Sequence, residues 1–243
     1  MIKKNIPNIF TLCNLLCGCV AIVFAFKGNL AWSACLVGIA CVFDFIDGFS
    51  ARLLKAHSEI GKQLDSLADM VSFGVVPGVM MFLLLYQVLN GCNEYFPHYR
   101  FIASSTGFLI TVFSAVRLAK FNIDTRQTNS FIGVPTPANT IFISSLPLIL
   151  KFGAVSESIM HYILHPYFLI SLSVISSFLL VAPLPLFALK FKNFSWVENK
   201  VRYIFLVLAL MLLILFQFIG IPLIIILYII LSIINNIATK KSV

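Results

Sequence analysis

Apolar runs about as long as a bilayer is thick recur from one end of this chain to the other. They fall at roughly 8–26, 29–50, 64–89, 101–119, 138–152, 163–183, 201–219 and 221–238. A helix needs about 20 mostly apolar residues to cross the hydrocarbon core. Inside lipid, each backbone N–H and C=O must also be satisfied within the protein, which a helix does by itself. The pattern therefore predicts an all-α integral membrane protein, a bundle of about eight transmembrane helices with short connections. No stretch is long and polar enough for a separate soluble domain, so residues 1–243 read as a single transmembrane domain.

Composition sharpens this. Hydrophobic residues make up 60% of the chain and charged residues 11%, against about 45–50% and about 25% in soluble domains. Disorder and nucleic-acid binding are excluded on that ground despite the net charge of +8. The basic residues instead set an orientation. With the N-terminus inside, the inner segments hold Lys3, Lys4, Arg52, Lys55, Lys62, Arg117, Lys120, Arg126, Lys190, Lys192, Lys200, Arg202, Lys240 and Lys241. The outer side holds only Lys27, Arg100 and Lys151. This asymmetry predicts both termini in the cytoplasm, as an even number of spans requires. It also predicts attraction to anionic lipid of the bilayer, at about 1 kcal/mol per residue near the surface.

Lys3 and Lys4 before an apolar stretch resemble a signal peptide, but Pro7, Asn8, Thr11 and Asn14 interrupt it and further spans follow. It reads as an uncleaved first helix. Cys13, Cys17, Cys19, Cys35 and Cys41 fall inside predicted spans and read as small packing residues, while Cys92 sits in an outer loop. His161 and His165 stand four apart with only Glu157 as a third ligand, which favours an interfacial role over a zinc site.

The acids carry the chemistry. There are nine, and Asp44, Asp47, Asp65 and Asp69 lie within one short stretch inside predicted spans. Each carboxylate costs about 2.5–3.5 kcal/mol at a helix centre, and Arg52 is the one fixed cation among them. At about 100° per residue, Asp44, Asp47, Gly48 and Ala51 share one helix face, and Arg52 extends it. Gly61, Asp65 and Asp69 follow at intervals of four on the next helix. About the turn at His57, Asp44 lies 13 positions before and Asp69 12 after, and Asp47 and Asp65 lie 10 before and 8 after. An antiparallel hairpin thus brings the four carboxylates level near its cytoplasmic end. Gly48, Ala51 and Gly61 allow close approach. Two divalent cations would balance the charge, and hard oxygen ligands favour Mg2+ or Mn2+. Such pairs clamp phosphates for in-line displacement. From chemistry alone, this is a two-metal site at the inner membrane surface acting on a phosphate-bearing, partly lipidic substrate.

The full pattern is D-x2-D-G-x2-A-R-x8-G-x3-D-x3-D, formed by Asp44, Asp47, Gly48, Ala51, Arg52, Gly61, Asp65 and Asp69. It resembles the signature of the CDP-alcohol phosphotransferases, with every spacer matched. The resemblance implies that a CDP-linked lipid and an alcohol give a phosphodiester lipid and CMP. It implies that Asp44, Asp47, Asp65 and Asp69 hold the two metals and that Asp69 is the general base. Gly48, Ala51, Arg52 and Gly61 resemble the positions that bind the CDP-lipid. A homodimer is implied as well, with a catalytic core over about 6–183 and a C-terminal helical pair over about 201–239.

Three further segments look like the membrane-integral, serine-using members of the family. They run from Ile6-Pro7-Asn8 through Thr11 and Asn14 to Gly18, from Asp65-Ser66 to Gly74 with Pro77, and from Arg117-Leu-Ala-Lys120-Phe-Asn122 to Pro135-Thr-Pro137-Ala138. Lys120 stands where similar synthases usually carry Arg. These segments imply transfer of a phosphatidyl group from CDP-diacylglycerol to the hydroxyl of L-serine at the cytoplasmic face of the cell inner membrane. Asn8 and Thr11 lie on one side of helix one and are expected to contact the CDP-lipid. Arg117, Lys120 and Asn122 are expected to hold the acceptor, with positive-inside anchoring as the plainer account of Lys120. Alternatives are another acceptor, glycerol 3-phosphate or inositol phosphate, and an ion-coupled transporter. The transporter accounts for costly aspartates but not for the Gly, Ala and Arg spacing.

Overall fold

Helices follow the apolar runs, and the breaks between them follow the polar residues. In the computed structural model, residues 2–56, 58–91, 99–123, 130–153, 155–187 and 195–240 are described. Cys92, Arg126, Lys190, Lys192, Lys241 and the His57 turn centre lie outside them. Helix α1 (Ile2–Phe26) lies along α2 (Leu30–Leu53). Next comes one continuous column made of α3 (Glu59–Asp69), a π-helical turn (Met70–Val75) and α4 (Val76–Gly91). A second column joins α5 (Arg100–Ser104), a 3-10 turn (Ser105–Phe108) and α6 (Leu109–Ile123). Then follow α7 (Thr136–Phe152), the short α8 (Glu157–Ile163) and α9 (Pro166–Val181). The chain ends on α10 (Trp196–Phe216) and α11 (Gly220–Lys240).

Among the described residues, five helical columns are long and apolar enough to cross a membrane: Asn5–Phe26, Leu30–Leu53, Glu59–Gly91, Arg100–Ile123 and Asn199–Ile237. The α8–α9 pair, bent by 56°, makes a sixth if it is one span. The apolar runs predict eight, and the difference has two sources. Helix α7 is only 17 residues long. The last two predicted spans join into one run of 39 residues, although Gln217, with φ 48° and ψ −120°, breaks it and α10 packs back against α11.

The Glu59–Gly91 column has 33 residues, so it is about 50 Å long. A hydrocarbon core of about 30 Å cannot contain it. Its polar end, with Glu59, Lys62, Asp65 and Asp69, therefore lies toward one membrane surface. Ser58 caps this helix by accepting a 3.0 Å hydrogen bond from the Gly61 N–H.

The π turn directly follows Asp69. Pro77 has no N–H to return to the Phe73 carbonyl one turn back, and a neighbouring helix supplies the donor instead. Thr140 Oγ1 donates to Phe73 O at 2.7 Å, and Thr111 Oγ1 donates to Gly74 O at 2.9 Å. Both hydroxyls pin the turn from outside, one from α7 and one from α6. The core beside it is formed by Phe73, Val76, Met80, Met81, Leu85, Ile110, Ile143 and Leu180. Among the cysteines, Cys13, Cys17 and Cys41 are half-buried, whereas Cys19 and Cys35 face outward rather than into the packing.

Two short strands qualify the all-α expectation. Strand β1 (Ser130–Ile132) pairs antiparallel with β2 (Pro185–Phe187), Phe131 opposite Leu186. The ribbon ties the segment after α6 to the segment after α9. Gly133 makes the tie possible. Its φ is +77°, and a Cβ there would collide with the Leu180 carbonyl. Its N–H donates to Leu184 O at 2.9 Å, and Val134 N–H donates to Leu179 O at 3.0 Å.

Gly133→Ala should therefore destabilise the protein by about 1–2 kcal/mol from the left-handed backbone alone, and more from the collision. Gly38→Ala, at a helical position with nothing near the added methyl, should leave stability unchanged or raised. Thermal melting of both variants in detergent checks this contrast.

Candidate functional site

The hairpin of α2 and α3 brings the aspartates together as their spacing predicts. Carboxylate oxygens of Asp44, Asp47 and Asp65 lie within 4.8 Å of one another. Asp69 is in hydrogen-bonding contact with Asp44. Two carboxyls in contact need a proton or a cation between them. Among the described residues no lysine or arginine forms an ion pair with any of the four. The donor set is oxygen only, clustered and short of positive charge. It suits a hard divalent cation, Mg2+ or Mn2+, and not a soft one.

Helix α1 is the buttress of this cluster. Thr11 Oγ1 donates to Asp47 Oδ2 at 2.7 Å, and Asn14 Nδ2 donates to Asp69 Oδ1 at 3.4 Å. Asn14 also accepts at its backbone carbonyl from Ser72 Oγ, at 2.9 Å, so helix one is fastened to the π turn at the same level. Gly18 permits that contact, because a Cβ there would collide with the Ser72 hydroxyl. The sequence reading expected Asn8 and Thr11 to touch a CDP-lipid. Thr11 lines the cavity described next, but its hydroxyl hydrogen is directed at Asp47. It offers a ligand only its lone pairs.

A cavity of about 580 Å3 opens beside the aspartates, lined by Asn8, Thr11, Asp47, Gly48, Ala51, Arg52, Gly61 and Asp65, among others. All the motif residues on this side of the hairpin face one space. Gly48 has nothing within 4 Å of where a Cβ would sit, so protein packing does not demand its small size. An added methyl would project into the open volume. Gly61 is different: a Cβ there would stand 2.9 Å from the Asn8 and Ser58 side chains. It lets α1 approach the start of α3.

The three residues expected to hold the acceptor do not share one role. Arg117 is buried, 6% exposed, within electrostatic reach of Asp69 and of Tyr228, and its guanidinium carbon stands 5.9 Å from the Phe121 ring centroid. Asn122 is engaged: its amide donates to Ser66 Oγ at 2.8 Å, and its backbone carbonyl accepts from Lys62 Nζ at 3.3 Å. It clasps α6 to α3. Lys120 is exposed on α6. Sequence reasoning did not single out Ser58, Ser66 or Tyr228, nor the linking role of Lys62. Ser58 carries a local signal as a helix cap. The others act through contacts across 41 to 60 positions, and nothing local marks them.

Over residues 4–179 the chain matches the family model described as CDP-alcohol phosphatidyltransferase. The chain belongs to that family. The matched segment runs from α1 through most of α9, so it contains every residue of the acidic cluster and its cavity. The chain is 33% identical over 141 residues to the CDP-diacylglycerol–serine O-phosphatidyltransferase of Helicobacter pylori, covering 56% of this chain and 54% of that protein. It is 33% identical over 132 residues to the Bacillus subtilis protein of the same name, covering 54% and 69%. It is 30% identical over 146 residues to the archaetidylserine synthase of Methanothermobacter thermautotrophicus, covering 59% and 58%. The chain spans about half the length of the first of these relatives.

If Thr11 holds Asp47 as a cation ligand of this CDP-alcohol phosphatidyltransferase fold, Thr11→Val keeps the shape and removes the donor. Loss of such a supporting bond weakens metal binding by about 10–100-fold. Thermal stabilisation by Mn2+, titrated in detergent without substrate, should shift to correspondingly higher concentration in the variant.

Proposed function

We propose that this protein transfers the phosphatidyl group of CDP-diacylglycerol to the hydroxyl of L-serine, giving phosphatidylserine and CMP. The observation that carries the reading is a cluster of four aspartates, two of which, Asp47 and Asp65, line a cavity whose remaining motif residues are small or cationic. The printed names of the relatives point to serine as the alcohol.

Two divalent cations, Mg2+ or Mn2+, held by Asp44, Asp47, Asp65 and Asp69, would supply charge neutralisation for the diphosphate and polarise the bond to be broken. The chain's own groups do the rest. Gly48 and Ala51 leave room for the nucleotide along α2, and Gly61 lets Asn8 of α1 approach the start of α3 beside it. Arg52 offers a planar fork of donors to the diphosphate. Asn8 presents its amide to the same cavity. Asp69, held by Asn14, accepts the proton of the serine hydroxyl. The serine oxygen then bonds to the phosphorus that carries diacylglycerol, and the bond from that phosphorus to the CMP phosphate breaks. CMP leaves with the bonding pair, facing Arg52.

One further observation favours serine over an acceptor bearing an additional phosphate. Among the described residues, the buried cation near Asp69 is the single guanidinium of Arg117, since Lys120 is exposed. One guanidinium matches one carboxylate.

The same reading includes a single transmembrane domain with eight spans and both termini inside. Gln217 divides the last column into two helices of 21 residues each. Pairing of the segments after α6 and after α9 in the β ribbon supports an even number of crossings between them. Lys62 and Ser66 meet Asn122 on that same face. The basic residues would make it the cytoplasmic one. A homodimer belongs to the reading through the family resemblance.

The test is purified protein in detergent with CDP-diacylglycerol and Mg2+ or Mn2+, with CMP release measured for serine, glycerol 3-phosphate and inositol phosphate. Serine-dependent release is expected. Release with another acceptor alone would reject serine and keep the family chemistry. Asp69→Asn should lower turnover by at least about 100-fold while leaving the melting temperature near that of the unaltered protein; near-normal activity would remove Asp69 as the base.

A further inference from the structure

Hydroxyls of α6 and α7 flank the π turn, and they fall into two pairs. One pair is used by the fold. Thr111 Oγ1 on α6 donates to Gly74 O at 2.9 Å, and Thr140 Oγ1 on α7 bonds both Phe73 O and Thr136 O, at 2.7 and 2.9 Å. The other pair is not. Ser114 Oγ on α6 and Thr136 Oγ1 on α7 are fully buried, and among the described residues neither has a hydrogen-bond partner.

The depth of the second pair follows from the helix registers. Helix α6 runs antiparallel to the Glu59–Gly91 column. Thr111 bonds Gly74, a Cβ on Gly74 would stand 3.2 Å from Ser114 Cβ, and Asn122 bonds Ser66. Helix α7 runs parallel to the column, since Thr140 bonds Phe73 and Ser144 Oγ meets Met80 Sδ at 3.5 Å. On both helices the unused hydroxyl therefore lies one turn nearer the aspartates than the used one. Arg117 follows Ser114 by one more turn. Its level falls between that of Gly74 and that of Ser66, and Asp69 lies within the same interval. The Arg117 side chain is 6% exposed, and its Nε is buried without a partner. Buried polar groups of native proteins are almost always paired. Here three unpartnered ones gather on two helices that touch each other and the same turn.

The start of α7 adds to this layer. Its N-cap is Pro135, no side chain caps it, and Thr136 is its first residue. The first N–H groups of a helix have no partners within it, and they favour an anion. Guanidinium, hydroxyl and helix start all offer donors at one depth.

We propose that Arg117, Thr136 and the start of α7 form the subsite for the anionic group of the acceptor, with Thr136 Oγ1 donating to that group. The inference rests on the phosphatidyl-transfer reading above. It adds a second side chain for the acceptor and the helix that carries it. The nucleotide side is built by α1, α2 and α3, and the acceptor side by α6 and α7 across the π turn. In serine a short carbon link joins the carboxylate to the hydroxyl. A carboxylate held between Arg117 and Thr136 leaves that hydroxyl at the level of Asp69. The anionic group is a carboxylate if serine is the acceptor and a phosphate if glycerol 3-phosphate or inositol phosphate is.

Thr136→Val tests this, because the shape stays and only the hydroxyl leaves. Thr136→Ser keeps the hydroxyl. The bond that Thr136 makes to Thr140 uses its backbone carbonyl, which both variants retain. KM is measured separately for CDP-diacylglycerol and for whichever acceptor the unaltered protein uses, together with the melting temperature. Thr136→Val should raise the acceptor KM by about tenfold, the loss of one hydrogen bond to a charged group. Its KM for CDP-diacylglycerol and its melting temperature should stay close to those of the unaltered protein, and Thr136→Ser should match the unaltered protein throughout. An unchanged acceptor KM in Thr136→Val overturns the proposal. So does a parallel rise in both KM values with a lowered melting temperature, or an equal loss in Thr136→Ser, either of which marks a merely structural residue. Thermal stabilisation by serine, glycerol 3-phosphate or inositol phosphate, each with CMP and Mn2+, gives a second readout that needs no turnover. Its loss in Thr136→Val supports the proposal, and its absence in the unaltered protein for all three overturns it. Use of glycerol 3-phosphate instead of serine rejects the serine reading, and the effect of Thr136→Val is then read on that acceptor.

Discussion

Like charges gathered in a poorly polarisable medium are the constraint on which the rest of this structure depends. Three carboxylates within 4.8 Å of one another repel by about 3 kcal/mol per pair at an effective dielectric of about 20. Three such pairs come to about 10 kcal/mol, comparable with the whole stability of a typical domain. No local rearrangement of the side chains removes that, because helix period and hairpin register hold all four aspartates level. The fold supplies neutral donors, Thr11 and Asn14 from α1. Two neutral hydrogen bonds are too weak to offset repulsion of this size. The remaining compensation is a proton or a cation from outside the chain, and the oxygen-only donor set suits a hard divalent one.

Holding the carboxylates level also demands a particular backbone. Helix α3 must turn Asp65 and Asp69 toward α2, while α4 must turn its apolar side chains toward the core. A single uninterrupted α-helix fixes the phase between those faces. The π turn at Met70–Val75 inserts one residue and changes it. Its carbonyls then need donors from elsewhere, and Thr111 and Thr140 provide them. Ser72 in the same turn donates to Asn14. The distortion that aims the aspartates is thus the point where α1, α6 and α7 are fastened to the column.

The parts of this arrangement differ in how far they were legible in the sequence. The cluster itself was legible because it is local: intervals of three and four on two helices, and nearly equal distances from one turn. The spans were legible as apolar runs, although 17 residues in α7 and the continuous helical run across Gln217 blur their number. The π turn was not legible, since Gly74 and Pro77 fit many local structures and only the partners on α6 and α7 select this one. The ribbon of β1 and β2 was hidden for a similar reason. Three-residue strands carry almost no periodic signal, and their pairing spans more than 50 positions. Arg117, Lys120 and Asn122 looked equivalent as a basic and polar group at one helix end. Helix rotation separates them, burying Arg117, exposing Lys120 and turning Asn122 onto Ser66.

This difference between local and distributed construction follows the chemistry that each side is proposed to perform. The diphosphate side presents the same charged group whatever alcohol is used. It can be encoded once, in a contiguous hairpin whose geometry depends on little else. The alcohol side must distinguish small molecules by one anionic group, and a guanidinium can do that only if water and competing partners are kept from it. Burial of that quality needs walls from several directions. Around Arg117 they come from α6 itself, whose Phe121 ring stands 5.9 Å from the guanidinium carbon. Side chains proposed to choose the alcohol are on this view set by the rotation of α6 and its neighbours, and they can change without touching any aspartate.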